Sequence, residues 1–307
     1  MIDARGAWTK LARILVPDRQ REWMATYTGP SFAVPRADAS GVDVYVTGRD
    51  TSNRSRIGVI TIDPARPAEP PAIGDVVFDL GDLGAFDENG VSYPWIVDAG
   101  GVQHMYYVGW MPTVLTPFQN HMGLALRTGG TGPWRRFSRA PILPRTDEEY
   151  LSIGSCAVMK DEDRWRMWYT CFRQWGHEPG DPKHVYVIKY AESSDGRHWV
   201  RNGVVCINTD HEGEYAIGRP SVLRRAGVYH MWYSYRGPAY RIGYAWSPDG
   251  VRWTRRDDLA GIGVSATGWD AESICYSHVF EWKDALYMLY CGNHYGRDGL
   301  GLAVFES

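Results

Sequence analysis

The residues of this sequence best suited to chemistry are acids, amides and aromatics that stand beside short apolar runs. Phe86-Asp87-Glu88-Asn89, Glu214-Tyr215 and Trp269-Asp270-Ala271-Glu272 precede such runs, whereas Arg49-Asp50, Trp110, Trp175, Tyr235 and Asn293-His294 follow them. Arg219, Tyr276 and His278 lie at the heads of the runs themselves. Carboxylates bind hydroxyls, aromatic faces stack on sugar rings, and a pair of carboxyl groups can supply the acid and base of glycosidic cleavage. On that chemistry Asp87, Glu272 and Asp50 are the catalytic candidates, with Glu272 the acid and Asp87 or Asp50 the base that activates water. Asn89, Trp110, Trp175, Glu214, Tyr215, Arg219, Tyr235, Tyr276, His278, Asn293 and His294 are candidates for holding a small sugar-like substrate. Any one of these residues could equally cap a strand end. Arg219 could grip a carboxylate or phosphate bidentately, or form a structural ion pair with Glu214 or Glu272.

Other chemistries find less in the sequence. The histidines show no HxxxH or HxxH spacing, so no metal is expected. No glycine-rich loop follows a strand and opens a helix, which argues against a nucleotide, and no cofactor is expected. No G-x-S-x-G elbow is present. A net charge of −3 without a basic block gives no footprint for nucleic acid or an acidic membrane. No apolar run approaches the ~20 residues of a membrane span. The charged first seventeen residues do not read as a signal peptide, and the five cysteines form no CxxC pair, so a cytosolic protein with reduced thiols is expected. The oligomeric state is left open.

The elements that must position these residues emerge from a repeat. Val44-Tyr45-Val46, Met105-Tyr106-Tyr107, Met167-Trp168-Tyr169, Met231-Trp232-Tyr233 and Met288-Leu289-Tyr290 recur with their last residues 61, 62, 64 and 57 positions apart. An apolar strand precedes each triplet (31–34, 93–97, 155–159, 219–223, 276–280) and another follows it (57–62, 122–126, 187–191, 242–246, 300–305). A turn and a Trp-bearing outer strand come next. Ser193 to Trp199 and Ser247 to Trp253 share S-x-D-G-x-x-W, in which Asp195 and Asp249 are turn residues. Four strands per ~60 residues, five times over, predicts an all-β, five-bladed β-propeller of four-stranded antiparallel blades. The expected blades are about 29–75, 90–145, 152–207, 216–258 and 271–307 in one domain spanning 1–307. The last blade lacks an outer strand, and Trp8-Thr9-Lys10 with Ile14 to Pro17 supplies it, closing the ring around residues 7–17.

Several longer segments carry a family likeness: Ser55-Arg56-Ile57-Gly58, Phe86-Asp87-Glu88-Asn89-Gly90-Val91, Tyr107-Val108-Gly109-Trp110, Lys189-Tyr190-Ala191-Glu192-Ser193, Glu214 through Ser221, and Gly268 through Tyr276. With the repeat, they resemble the five-bladed propeller superfamily of glycoside hydrolases, families 32, 43, 68 and 130 among them, and within it a bacterial glycosylase-like group met in polysaccharide and natural-product gene clusters. The resemblance implies a catalytic funnel in which an Asp base, an orienting Asp and a Glu acid come from the first strands of blades one, two and three. Here blade two supplies Asp87, but blade one begins Thr28-Gly29-Pro30-Ser31 and blade three Leu151-Ser152-Ile153-Gly154-Ser155, without acids. Acids stand instead before blades four and five, as Glu214 and Glu272. Three functions therefore remain open: a glycosidase, a lyase, cyclase or isomerase acting on a biosynthetic intermediate, or a non-catalytic sugar-binding propeller.

Overall fold

The computed structural model describes residues 6–161, 164–176 and 183–306. Among them the chain is all-β: twenty strands and three short 3₁₀ turns, with no α-helix. Strand β1 is Ala7–Leu15; β2 to β5 are Tyr27–Pro35, Val42–Arg49, Ser55–Ile62 and Ala72–Phe78. Strands β6 to β9 are Gly90–Asp98, Val102–Met111, Gln119–Thr128 and Arg135–Arg136, and β10 to β13 are Ile153–Asp161, Arg164–Gln174, Val185–Ser193 and Val200–Ile207. Strands β14 to β17 are Ala216–Arg225, Val228–Arg236, Tyr240–Ser247 and Thr254–Arg255; β18 to β20 are Cys275–Trp282, Ala285–Cys291 and Leu300–Glu306.

Pairing sorts these into five consecutive antiparallel groups, β2–β5, β6–β9, β10–β13, β14–β17 and β18–β20. The last group gains a fourth strand from the other end of the chain. β1 pairs antiparallel with β20 from Ala7 opposite Glu306 to Leu15 opposite Leu300, with two register shifts. Single parallel bridges, Ser55 to Gly90 and Tyr186 to Ala216, link neighbouring groups.

The second strand of each group shows why the groups stack. Met105-Tyr106-Tyr107, Met167-Trp168-Tyr169, Met231-Trp232-Tyr233 and Met288-Leu289-Tyr290 are buried at every residue. Successive side chains leave a strand on opposite faces, so such a triplet must be covered on both. The cover comes from adjacent groups: Trp168 Nε1 donates to Gly250 O (2.7 Å), and Tyr106 Oη donates to Gly196 O (2.7 Å). Those acceptors are the glycines of the two S-x-D-G-x-x-W turns, where Asp195 and Asp249 each take two main-chain N–H bonds in the expected turn role. The first strands meet in sequence, β2 with β6, β6 with β10, β10 with β14, β14 with β18, and β18 with β2. All five cysteines are buried and unpaired. No helix among the described residues is long and apolar enough to cross a membrane.

Candidate functional site

Each first strand carries a bulge near its head, visible as a register shift between Thr28 and Ser31, Ser92 and Trp95, Ile153 and Cys156, Gly218 and Ser221, and Cys275 and His278. The residue that opens the bulge is Gly29, Tyr93, Gly154, Arg219 and Tyr276 in turn. The three that are not glycine have positive φ (54°, 51° and 57°), a region that L-residues rarely occupy. Each has its N–H held by a hydroxyl of the preceding group: Tyr93 by Thr47 (3.0 Å), Arg219 by Thr170 (3.2 Å) and Tyr276 by Ser234 (2.7 Å). Those hydroxyls occupy one repeat position, immediately after the buried triplet. Where that position is Val108 or Cys291, the next bulge opens with glycine. The held N–H accompanies positive φ at the three side-chain seats, whereas Gly29 and Gly154 lie outside the positive-φ region.

Around these seats lies a cluster of tyrosines and arginines. The Tyr93 and Tyr276 rings meet edge to face at 5.4 Å, and Tyr276 packs on Tyr240 at 5.7 Å. The Tyr186 and Tyr240 hydroxyls are hydrogen-bonded. Arg236 lies over Tyr215, Tyr240 and Tyr295 (5.4, 5.2 and 5.5 Å), and Arg49 over Tyr27 and Trp110 (4.9 and 5.2 Å). Burial pushes the Tyr93 hydroxyl up to about 12 and the Tyr276 hydroxyl well above its ordinary value, so both are neutral proton donors at neutral pH. Arg219 is wholly buried and reaches across to Ser31 O (2.6 Å) and Pro94 O (3.5 Å) on two other first strands. It pairs with neither Glu214 nor Glu272. His278 is buried between Phe32 and Trp95 (4.1 and 5.3 Å), and neither ring nitrogen has a hydrogen bond of good geometry. Burial, then the Arg219 charge, holds its imidazole well below its ordinary range, opposed by the Ala33 carbonyl.

Most of the candidate acids are engaged elsewhere. Asp87 is buried, with Oδ2 accepting from Tyr107 (2.9 Å) and from Arg136 on β9 (2.8 Å). Gly81 covers its other oxygen so closely that a Cβ there would fall 1.9 Å from Oδ1. Asp87 therefore cannot meet a substrate across the channel from Glu272, and its expected role as base is corrected to that of a latch. The latch recurs. Glu149 accepts from Tyr169, Lys189 and Arg201, and Asp270 from Tyr290 (3.1 Å) and Lys10 (2.6 Å). Glu214 is gripped bidentately by Arg255, which also holds Asp257, the acceptor of Tyr233. In each case the last Tyr of the triplet and a base from the fourth strand clamp an acid that precedes the first strand or neighbours that base. Glu214 is thereby removed from the substrate-binding set.

Two catalytic candidates remain, Asp50, buried at 5% exposure in a cleft wall, and Glu272. Asp50 takes N–H bonds from Ser52 and Arg54 (both 2.9 Å) and an ion pair from Arg56 (2.8 Å). Burial raises its pKa, but Arg56 and the turn amides outweigh that, leaving the carboxyl below its ordinary value and ionised. Glu272 is exposed, with Oε2 at 3.9 Å from His294 Nε2, while His294 Nδ1 faces Asp298 at 3.3 Å. His294 itself has φ 54°. Asn293 has a structural role, accepting from the N–H groups of Glu272 (2.8 Å) and Ser273 (3.1 Å). Trp110 donates to Ser55 Oγ (2.7 Å), Asn89 accepts the Ser55 N–H through its main chain (3.3 Å), and Tyr235 stacks under Arg255 (5.5 Å). Trp175 packs with Phe118, Phe172 and His184 (5.2, 5.3 and 5.4 Å). A cleft of about 1040 Å³ opens between the first and last groups, with Tyr27, Arg49, Asp50, Trp269, Arg297 and Asp298 among its walls. No cluster of metal-binding side chains occurs among the described residues. Tyr93 and Tyr240 are parts of the centre that the sequence pattern did not single out. The recurrence of Gly29-Pro30, Tyr93-Pro94 and Arg219-Pro220 at strand heads was the available signal.

Solved structures share this architecture over nearly its whole length. The BT0996–RGII complex superposes with a TM-score of 0.76 at 18% identity, covering 99% of this chain and 93% of that protein. A thermostable family-43 glycoside hydrolase gives 0.66 at 18% (91% and 88%), and a GH130-family structure gives 0.69 at 15% (97% and 93%). The fold is that of the propeller glycoside hydrolases. No family model matches the chain. Two uncharacterised proteins of Mycobacterium tuberculosis, from strains CDC 1551 / Oshkosh and ATCC 25618 / H37Rv, are each 38% identical over 309 residues, covering 98% of this chain and 100% of the relative. The chain belongs to the family of these mycobacterial proteins.

Proposed function

We propose that the protein is a glycosidase-like enzyme that takes a small sugar conjugate at the mouth of a closed, single-domain, five-bladed propeller. The ring of first-strand contacts and the β1–β20 seam support the closure. Five unpaired, buried cysteines favour a reducing compartment such as the cytosol. The observation that carries the reading is the cleft beside the tyrosine cluster: aromatic walls suit sugar faces, and an ionised carboxylate, Asp50, lines it. Asp50 would serve as the base or nucleophile and Glu272 as the proton donor, with His294 holding the Glu272 side chain. Their carboxyl carbons should stand about 6.5–9.5 Å apart around a bound sugar for inversion, or about 5 Å for retention.

A panel of aryl glycosides, assayed with the wild type, Asp50→Asn and Glu272→Gln, tests this. Turnover that falls by about a hundredfold or more in both variants supports the assignment. Turnover that both variants retain refutes it.

The latching of Asp87, Glu149, Glu214 and Asp270 favours a second reading. The central seats hold Tyr93, Arg219 and Tyr276, so an elimination, cyclisation or isomerisation using a neutral tyrosine as proton donor suits this centre. No hydrolysis of any glycoside, with turnover abolished by Tyr276→Phe on a biosynthetic sugar intermediate, would select it. Sugar binding that survives Glu272→Gln, with no turnover of any compound, would select a purely binding role.

A further inference from the structure

We propose that a small monoanion, either a halide-type ion or the carboxylate of a sugar acid, binds Arg219 at the centre of the molecule as its counter-charge. Only the second source rests on the sugar-conjugate reading above. Charge around this buried cation is unbalanced. Arg219 is 1% exposed, and its hydrogen-bond acceptors among the described residues are two main-chain carbonyls, both taken by one nitrogen. Nε and Nη1 are buried and have no partner. No carboxylate is hydrogen-bonded to Arg219 among the described residues: Glu214 pairs with Arg255, Asp270 with Lys10, and Glu272 is exposed.

The side chains that do surround the guanidinium carry no compensating charge. Tyr93 and Trp95 present ring faces to it at 5.8 and 5.9 Å. Burial holds the thiols of Cys156 and Cys291 up at about 12 and the Tyr27 hydroxyl well above its ordinary value, so all are neutral at neutral pH. His278 is neutral as well. Burial lowers Arg219 itself only to about 10, so it stays protonated. A lone buried cation is costly, and one left without a partner destabilises a protein. Ser31 and Ser277, beside the bulges of two other first strands, add buried hydroxyls that also lack partners. Unused donors on a permanent cation, with further hydroxyls on the same ring of bulges, form a seat for a small anion and repel a metal ion.

The test is thermal unfolding of the full chain in sodium sulfate at constant ionic strength, titrated with sodium bromide. The wild type should show a saturable rise of a few degrees in Tm. Arg219→Met should lose the bromide response and be no less stable than the bromide-free wild type, since it removes an uncompensated charge. If Arg219→Met does not fold, bromide-soaked wild-type crystals decide: an anomalous peak at the Arg219 guanidinium supports the site. A wild type with no saturable response and no such peak overturns it. Adding glucuronate separates the sources. Displacement of bromide by glucuronate assigns the seat to a substrate carboxylate, and bromide that glucuronate leaves in place assigns it to an inorganic ion. Since no arm measures turnover, failure of the glycosidase reading leaves this result intact.

Discussion

The latch around Glu149 offers a quantitative test of how the groups are held together. Its carboxylate is buried and accepts from Tyr169 Oη (2.9 and 3.1 Å), Lys189 Nζ (2.8 Å) and Arg201 Nη1 (2.8 Å). Glu149→Gln keeps the shape but leaves two largely buried cations without a counter-charge. Breaking a buried pair in this way costs about 3–5 kcal/mol. At about 2 °C per kcal/mol for a chain of this size, Tm should fall by about 6–10 °C. Tyr169→Phe removes one hydrogen bond to a charged acceptor, about 1.5–3 kcal/mol or about 3–6 °C. The double variant should lose less than the sum, because both changes act on one carboxylate. Burial raises the Glu149 pKa, but Lys189, Tyr169 and Arg201 outweigh it and hold the carboxyl below its ordinary 4.5. A folded-state value below the unfolded one contributes stability above that unfolded value and loses it as pH falls through the folded one. The gap between wild type and Glu149→Gln should therefore be full at neutral pH and shrink in acid. Calorimetric or circular-dichroism melts across pH measure this. A Glu149→Gln protein within about 1 kcal/mol of wild type at neutral pH would refute the latch as a stabilising device.

Three further outcomes follow from the same geometry. Gly58→Ala places a Cβ 2.5 Å from the Trp23 ring, and the overpacking should cost about 1–3 kcal/mol in a denaturant titration. Lys10→Met leaves the buried Asp270 with the Tyr290 and Ser265 hydroxyls but no cation, so it should lower Tm and expose β1 to limited proteolysis before the rest of the chain is cut. Ser234→Ala removes the hydroxyl that holds the Tyr276 N–H; KM for an active substrate should rise more than kcat falls, and Ser234→Thr should restore it.

The strand order was legible because the pattern that carries it is local. A Met or aromatic triplet buried on both faces recurs at nearly even spacing, and every first and third strand expected around it is present. The N-terminal strand was also legible: Trp8 and Lys10 fit the outer-strand pattern, and they sit on β1 against β20. The site was less legible, because an acid before a strand looks the same whether it faces a substrate or a base. Asp87, Glu149 and Asp270 each lie twenty residues before the tyrosine that binds them, and that spacing was the available clue. Their fourth-strand bases, Arg136, Arg201 and Lys10, lie far away in sequence, Arg136 on a strand only two residues long, where patterning is weakest. Positive φ at Tyr93, Arg219 and Tyr276 was not visible either, since it depends on a hydroxyl in the preceding group.

That dependence is confined to Tyr93, Arg219 and Tyr276, and the other two bulges of the centre are limited by space. Gly154 and Gly29, which follow groups whose corresponding residues are Val108 and Cys291, lie outside the positive-φ region, so a side chain at either must find space rather than a held N–H. A Cβ at Gly154 would press on Thr170 at 3.0 Å, and one at Gly29 would strike the Tyr27 ring at 2.0 Å. Re-equipping this centre at those two positions, by natural drift or by design, is thus a problem of more than one move, in which Thr170 or Tyr27 must give way before a larger residue can be seated at 154 or 29. Libraries that vary only the central positions would find those two glycines immovable.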